Sequence, residues 1–135
     1  MAPADVALDL TWDGDLRFTG EADGIQLTLD GDKKAGASPV QALAFALAGC
    51  MAADVVDILK KGRLPLRGLR AHLTAGRAPA PPRRLLTAAL HFVVTGDVPP
   101  DRVERAIALS RETYCSVWHS LRPDIDFTTS FEVQP

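Results

Sequence analysis

The stretch from Ser38 to Gly62 limits this chain more than any other. Ser38-Pro39-Val40-Gln41 is a compact helix start. Ser38 can cap the first turn, Pro39 suits the first helical position, and Gln41 completes a capping box. The run from Ser38 to Ala53 is uncharged and largely apolar, and Asp54 and Asp57 then interrupt it. A bilayer span needs about 20 mostly apolar residues, so the run is short for one. A helix that is apolar on nearly every face is expected to be buried in a protein core. Gly62 supplies its stop, after Lys60 and Lys61 at the negative end of the helix dipole. A chain of 135 residues has room for one ordinary domain, expected over 1–135. One small sheet covers one side of such a helix, which makes a partner subunit the candidate for the rest.

Upstream, Val6 to Trp12 alternates with period two, Asp13-Gly14-Asp15 signals a turn, and Leu16 to Thr19 resumes the strand pattern. Asp23-Gly24 turns the chain again before the alternating Ile25 to Leu29, and the loop Asp30 to Ala37 follows. The expected meander has three strands. Downstream, Leu69 to Ala75 and Leu85 to Thr95 read as strands on either side of a proline-rich loop. A helix starts near Val98-Pro99-Pro100-Asp101, and its apolar positions Val103, Ala106, Ile107, Ser110, Tyr114, Val117 and Leu121 keep helical spacing up to Pro123. Ile125 to Val133 closes the chain as a strand. The order βββ-α-ββ-α-β is α+β.

Several function classes drop out on composition. Fifteen Lys+Arg against seventeen Asp+Glu leave a formal charge of −2, with no positive excess to hold a phosphate backbone, so no nucleic acid partner is expected. Two cysteines are too few for a disulfide-stapled secreted fold. The first residues lack the basic start and apolar run of a signal peptide, so a cytoplasmic protein with no membrane association is expected.

No phosphate-binding glycine loop, CxxC pair, HExxH or GxSxG occurs. His72, His91 and His119 share no ligand spacing, and structural or surface roles are expected for them, with no metal and no cofactor. Asp54 and Asp57 are expected on the solvated stripe of the long helix. The thiols Cys50 and Cys115 remain. A lone buried cysteine is usually a small hydrophobe, and reactivity needs a thiolate held by nearby positive charge. Cys50 lies about three turns into its helix, too far for the dipole to help. Any activation must come from an arginine on another segment, with Arg17 and Arg77 the candidates.

Taken together, Ser38-Pro39-Val40-Gln41-Ala42-Leu43, Ala48-Gly49-Cys50, Asp54-Val55-Val56 and Leu59-Lys60-Lys61-Gly62-Arg63 resemble the central helix of the OsmC/Ohr family. Leu90 to Gly96, Arg105 to Ser110 and Tyr114-Cys115-Ser116-Val117 resemble its second half, so the likeness runs over nearly the whole chain. It implies an OsmC-like α+β fold, with small antiparallel sheets around a long buried central helix, in an intertwined homodimer with sites at the subunit interface. It also implies a thiol-dependent hydroperoxide reductase. Cys50 would attack an organic hydroperoxide and become a sulfenic acid, Cys115 would condense with it as a disulfide, and a dithiol reductant would restore both. Arg17 or Arg77 would supply the activating charge. The family's peroxidases carry Glu directly after the helix-start proline, where this chain has Val40. That departure keeps two other readings open: a dimer that binds a small apolar ligand without catalysis, and a redox switch on the same fold.

Overall fold

The computed structural model describes residues 5–135. The first four residues, read above for a leader, lie outside them. Two compact units emerge, one ending at Leu43 and the other running from Ala44 to Pro135.

The first unit is built on the antiparallel meander β1 (Asp9–Gly14), β2 (Arg17–Ala22) and β3 (Ile25–Asp30). The second turn falls on Asp23-Gly24 as expected, with φ of 51° and 78°, a left-handed pair that matches the twist of a tight hairpin. The first falls on Asp15-Leu16, just past the expected Asp13-Gly14-Asp15, because β1 runs on through a bulge to Gly14, whose φ is 115°. The register sets Leu10 opposite Gly20 and Leu27 opposite that same glycine, with Trp12, Phe18 and Leu29 one step along. One face of the meander is therefore apolar, and the other carries Thr11, Thr19, Glu21, Gln26 and Thr28. The apolar face is open: Trp12 is 67% exposed, Ile25 70% and Leu27 58%. Asp30, itself buried, accepts backbone N–H bonds from Asp32, Lys34 and Ala35 and so holds the loop after β3. Those bonds keep its carboxyl below the usual carboxylate range.

Helix α1 (Pro39–Lys61) begins with the reciprocal cap that its sequence encodes. The Gln41 N–H donates to Ser38 Oγ at 3.1 Å, and the Ser38 N–H donates to Gln41 Oε1 at 3.0 Å. Only one stripe of the helix is buried, namely Leu47, Met51, Val55 and Leu59 at spacing four. Phe45 is 72% exposed. A single chain thus covers the helix along one line and leaves much of its apolar surface bare, short of the all-round burial that its composition suggests.

The second unit carries β4 (Leu66–Arg77), β5 (Leu85–Gly96) and β6 (Asp126–Gln134), with β5 in the middle. Ala88, Leu90, Phe92 and Val94 alternate inward from β5 and join Val103, Ala106 and Phe127 in the core. Gly96 ends β5 at φ 135°, where a Cβ would strike the Pro65 carbonyl oxygen. Here the expected purely antiparallel arrangement is corrected, because β4 and β5 are antiparallel but β6 lies parallel to β5. Residues 97–125 form a crossover that returns the chain to the same end of the sheet, as a parallel neighbour requires.

That crossover also corrects the expected single helix. It comprises α2 (Pro100–Leu109), a π-turn (Ser110–Tyr114) and the short α3 (Ser116–His119). The break falls on Cys115, whose φ of −73° and ψ of 97° are extended.

Candidate active site

Cys50 sits on α1, half-buried on the line beside the Leu47–Met51–Val55–Leu59 stripe. Cys115 is fully buried at the break between the π-turn and α3. Its place is set on both sides by main-chain bonds. The Cys115 N–H donates to the Ser110 carbonyl at 2.7 Å, closing the wide π-turn, and its sulfur accepts the Trp118 N–H at 3.3 Å. π-turns inside helices often mark functional positions. Far from being interior to a helix, as its spacing suggested, Cys115 is the cap of a new one.

The fold brings the two thiols together, although they lie far apart in sequence. Both are free, and they lie near each other. Burial pushes the Cys115 thiol up to about 11, and its hydrogen bond with Cys50 and the charge of an ionised Cys50 push the same way; the Trp118 and Val117 amides oppose the rise. Cys115 is therefore a neutral thiol across the physiological range.

Around this pair the structure places groups that sequence reasoning passed over. Ser110 is fully buried, and its hydroxyl donates to Asp54 Oδ2 at 2.7 Å. The two helix aspartates thus part company. Asp57 pairs with Lys61 at 2.8 Å on the exposed side, as expected, while half-buried Asp54 turns to Ser110. A serine at a core-facing helical position was the available signal, because a buried hydroxyl needs a partner. Arg111, from the π-turn, lies over the rings of Phe127 and Trp118 at 4.9 and 5.7 Å, and those rings pack with centroids 4.7 Å apart. This stack braces the segment around Cys115 through cation–π attraction.

The two candidate arginines have other partners in view. Arg17 on β2 is opposite Asp30 in register and 3.7 Å from Asp15. At the end of β4, Arg77 donates from Nε to the Arg83 carbonyl at 2.9 Å, across the turn into β5. Among the histidines, His91 bridges Ser130 and Glu132 on β6, and His72 and His119 are exposed. Among the described residues no group of three or more His, Cys, Asp or Glu side chains is arranged to hold a metal ion.

Comparison with known proteins gives the family and the fold. The family described as OsmC-like protein matches residues 30–130. Protein YhfA of Escherichia coli strain K12 is 42% identical over 125 residues, covering 90% of this chain and 93% of that protein. A hypothetical protein from Aquifex aeolicus VF5 superposes with a TM-score of 0.90 at 25% identity, over 98% of each chain. An organic hydroperoxide resistance protein OsmC from Legionella pneumophila superposes with a TM-score of 0.71 at 20% identity, over 98% of this chain and all of that one, a likeness of fold.

Proposed function

Because this chain belongs to the OsmC-like protein family, we propose that it reduces organic hydroperoxides with Cys50 and Cys115, as a single domain that works as a homodimer in the cytoplasm. The Cys50 thiolate attacks the terminal peroxide oxygen. The O–O bond breaks, Cys50 keeps the terminal oxygen and its proton as a sulfenic acid, oxidised by two electrons as the peroxide is reduced, and the leaving alkoxide takes a proton from water to depart as the alcohol. Cys115 then attacks the sulfenate sulfur, forming the disulfide and releasing water. A dithiol reductant restores both thiols by exchange.

The observation that carries this reading is the proximity of the two free thiols, one half-buried and the other fully enclosed. An accessible first sulfur with a protected second one suits attack followed by resolution. Activation of Cys50 is assigned to Arg17 or Arg77. Reduced protein treated with cumene hydroperoxide should lose both thiols and gain a Cys50–Cys115 bond in the peptide mass map. Either Arg17→Ala or Arg77→Ala should slow the loss by about 10²-fold, the scale on which a charge that activates a nucleophile acts. If Cys50 stays unmodified in the unsubstituted protein, the peroxidase reading is lost. A non-catalytic dimer that binds a small apolar ligand, or a redox switch, then stands in its place, and Val40 at the position of the family's Glu speaks for it.

The homodimer rests on a second observation. The open face of the meander offers Leu8, Leu10, Ile25 and Leu27, and α1 leaves Phe45 bare. An exposed apolar face such as that of the meander marks an association site. Sedimentation at micromolar concentration should give twice the 14.5 kDa chain mass. A stable monomer would refute the dimer.

A further inference from the structure

Building on that reading of Cys50 and Cys115, we propose that the Ser110–Asp54 hydrogen bond is a positioning link that fixes the resolving thiol against the first thiol and so governs disulfide formation. The two residues close a circuit of short connections. Asp54 follows Cys50 by one turn of α1, so the backbone of that turn fixes their separation. Ser110 is tied to Cys115 through its own carbonyl, which accepts the Cys115 N–H at 2.7 Å. The Ser110 hydroxyl reaches across to Asp54 Oδ2 at 2.7 Å and joins the two halves. Each thiol is thereby held by an element that the link ties to the other.

A hydrogen bond of this kind is favourably placed to transmit position. Ser110 is fully buried, the acceptor is a carboxylate, and such charge-assisted bonds are short and directional. The serine also sits at the start of the π-turn, so any movement of it is passed to Cys115 through one main-chain bond. In the proposed cycle the link has no part in breaking the O–O bond, which needs only Cys50 and the hydroperoxide. Its effect falls on the second step, where the Cys115 sulfur must meet the sulfenate sulfur and water must leave. It falls equally on the equilibrium between dithiol and disulfide, since both depend on the effective concentration of one sulfur at the other. Ser110 and Asp54 are positioning residues, and neither touches the peroxide in this account.

The test separates the two steps. Single-turnover oxidation with cumene hydroperoxide is followed by trapping the sulfenate with a dimedone probe and by counting disulfides. In Ser110→Ala the rate of sulfenate formation should stay within about twofold, while condensation slows about 10-fold or more and Cys50 sulfinic acid accumulates. Asp54→Ala should reproduce the effect from the half-buried end of the pair, which keeps the test open if Ser110→Ala does not fold. Asp54→Asn retains an acceptor oxygen and should recover most of the condensation rate. Titration of each variant against a glutathione buffer gives a second readout that needs no peroxide. The disulfide of Ser110→Ala and of Asp54→Ala should form with an equilibrium constant about tenfold lower, equivalent to about 30 mV. A merely structural role would lower the melting temperature and leave both the condensation rate and this equilibrium in place, and that result would overturn the link. If the unsubstituted protein ignores hydroperoxide while the equilibrium still shifts in the variants, the peroxidase reading fails and the link stands.

Discussion

Cys50→Ser should abolish hydroperoxide consumption, a loss of about 10³-fold or more, since removal of a nucleophile leaves only what the rest of a site can do. Cys115→Ser should behave differently. Its Cys50 still reacts once at a near-normal rate, but the sulfenate finds no partner thiol and excess peroxide drives it to sulfinic acid. Peptide mass mapping after one and after many equivalents of peroxide distinguishes the two variants. Equal loss of the first reaction in both would mean that the roles given to the sulfurs are wrong. A pH dependence accompanies this. Burial is the largest cause of the rise that brings the Cys115 thiol to about 11, and its hydrogen bond with Cys50 and the charge of an ionised Cys50 add to it. Alkylation of Cys115 by iodoacetamide should therefore stay slow through neutral pH and climb toward pH 11. Cys50→Ser should move that climb to lower pH without returning it to the ordinary thiol value, because burial remains. The sign for stability follows. The native state holds this proton more tightly than the unfolded chain, so the contribution is complete below pH 9 and is lost as pH rises through about 11.

Phe92→Ala should cost about 3–5 kcal/mol, the usual range for deleting a buried aromatic ring. Phe92 has no exposed surface and lies at the middle of the central strand, opposite Ala71 on β4 and Phe131 on β6. Neighbours held on both sides in a sheet cannot close the cavity by sliding, which places the expected loss toward the upper end. Urea unfolding at fixed protomer concentration measures it, and the concentration must be held because association adds to apparent stability. Leu86→Ala, at a position 36% exposed on the same strand, should lose far less. A Phe92 variant within 1 kcal/mol of the parent would falsify the assignment of β5 to the centre of the core.

Local signals in this chain were legible where the physics is local. The Ser38–Gln41 cap and the Asp-Gly turn at 23–24 depend on neighbouring atoms and appear where their residues stand, while the first hairpin turn falls at 15–16, just past the expected 13–15. The break at Cys115 was hidden because apolar spacing continues past it to Val117 and Leu121, and period alone does not register the wider winding of a π-turn. The parallel β6 was hidden for another reason: side-chain alternation is the same whichever way a strand runs. The length of the crossover from 97 to 125 was the available clue. Of the candidate site, the family-like segments around Cys50 and Cys115 identified the sulfurs, but their proximity comes from tertiary packing. Asp54 and Asp57 show the limit most clearly. They are chemically identical and close on one helix, yet one meets Lys61 and the other Ser110, because the partner each finds is set by what packs beside it and not by the helix alone.

The π-turn from Ser110 to Tyr114 gives that part of the chain an arithmetic of its own. Each residue of a helix advances the next by about 100° around the axis. Winding the same residues from Ser110 to Cys115 as ordinary helix would hand the Ser110 carbonyl to the Tyr114 N–H in place of that of Cys115. It would also swing the thiol about a quarter-turn or more away from α1. The Pro79–Pro82 loop has space for an insertion or deletion at the surface. Between Ser110 and Cys115 the winding of the backbone is as much a part of the site as the identity of the residues, so a protein of this design can lose its chemistry while every functional side chain stays in the sequence.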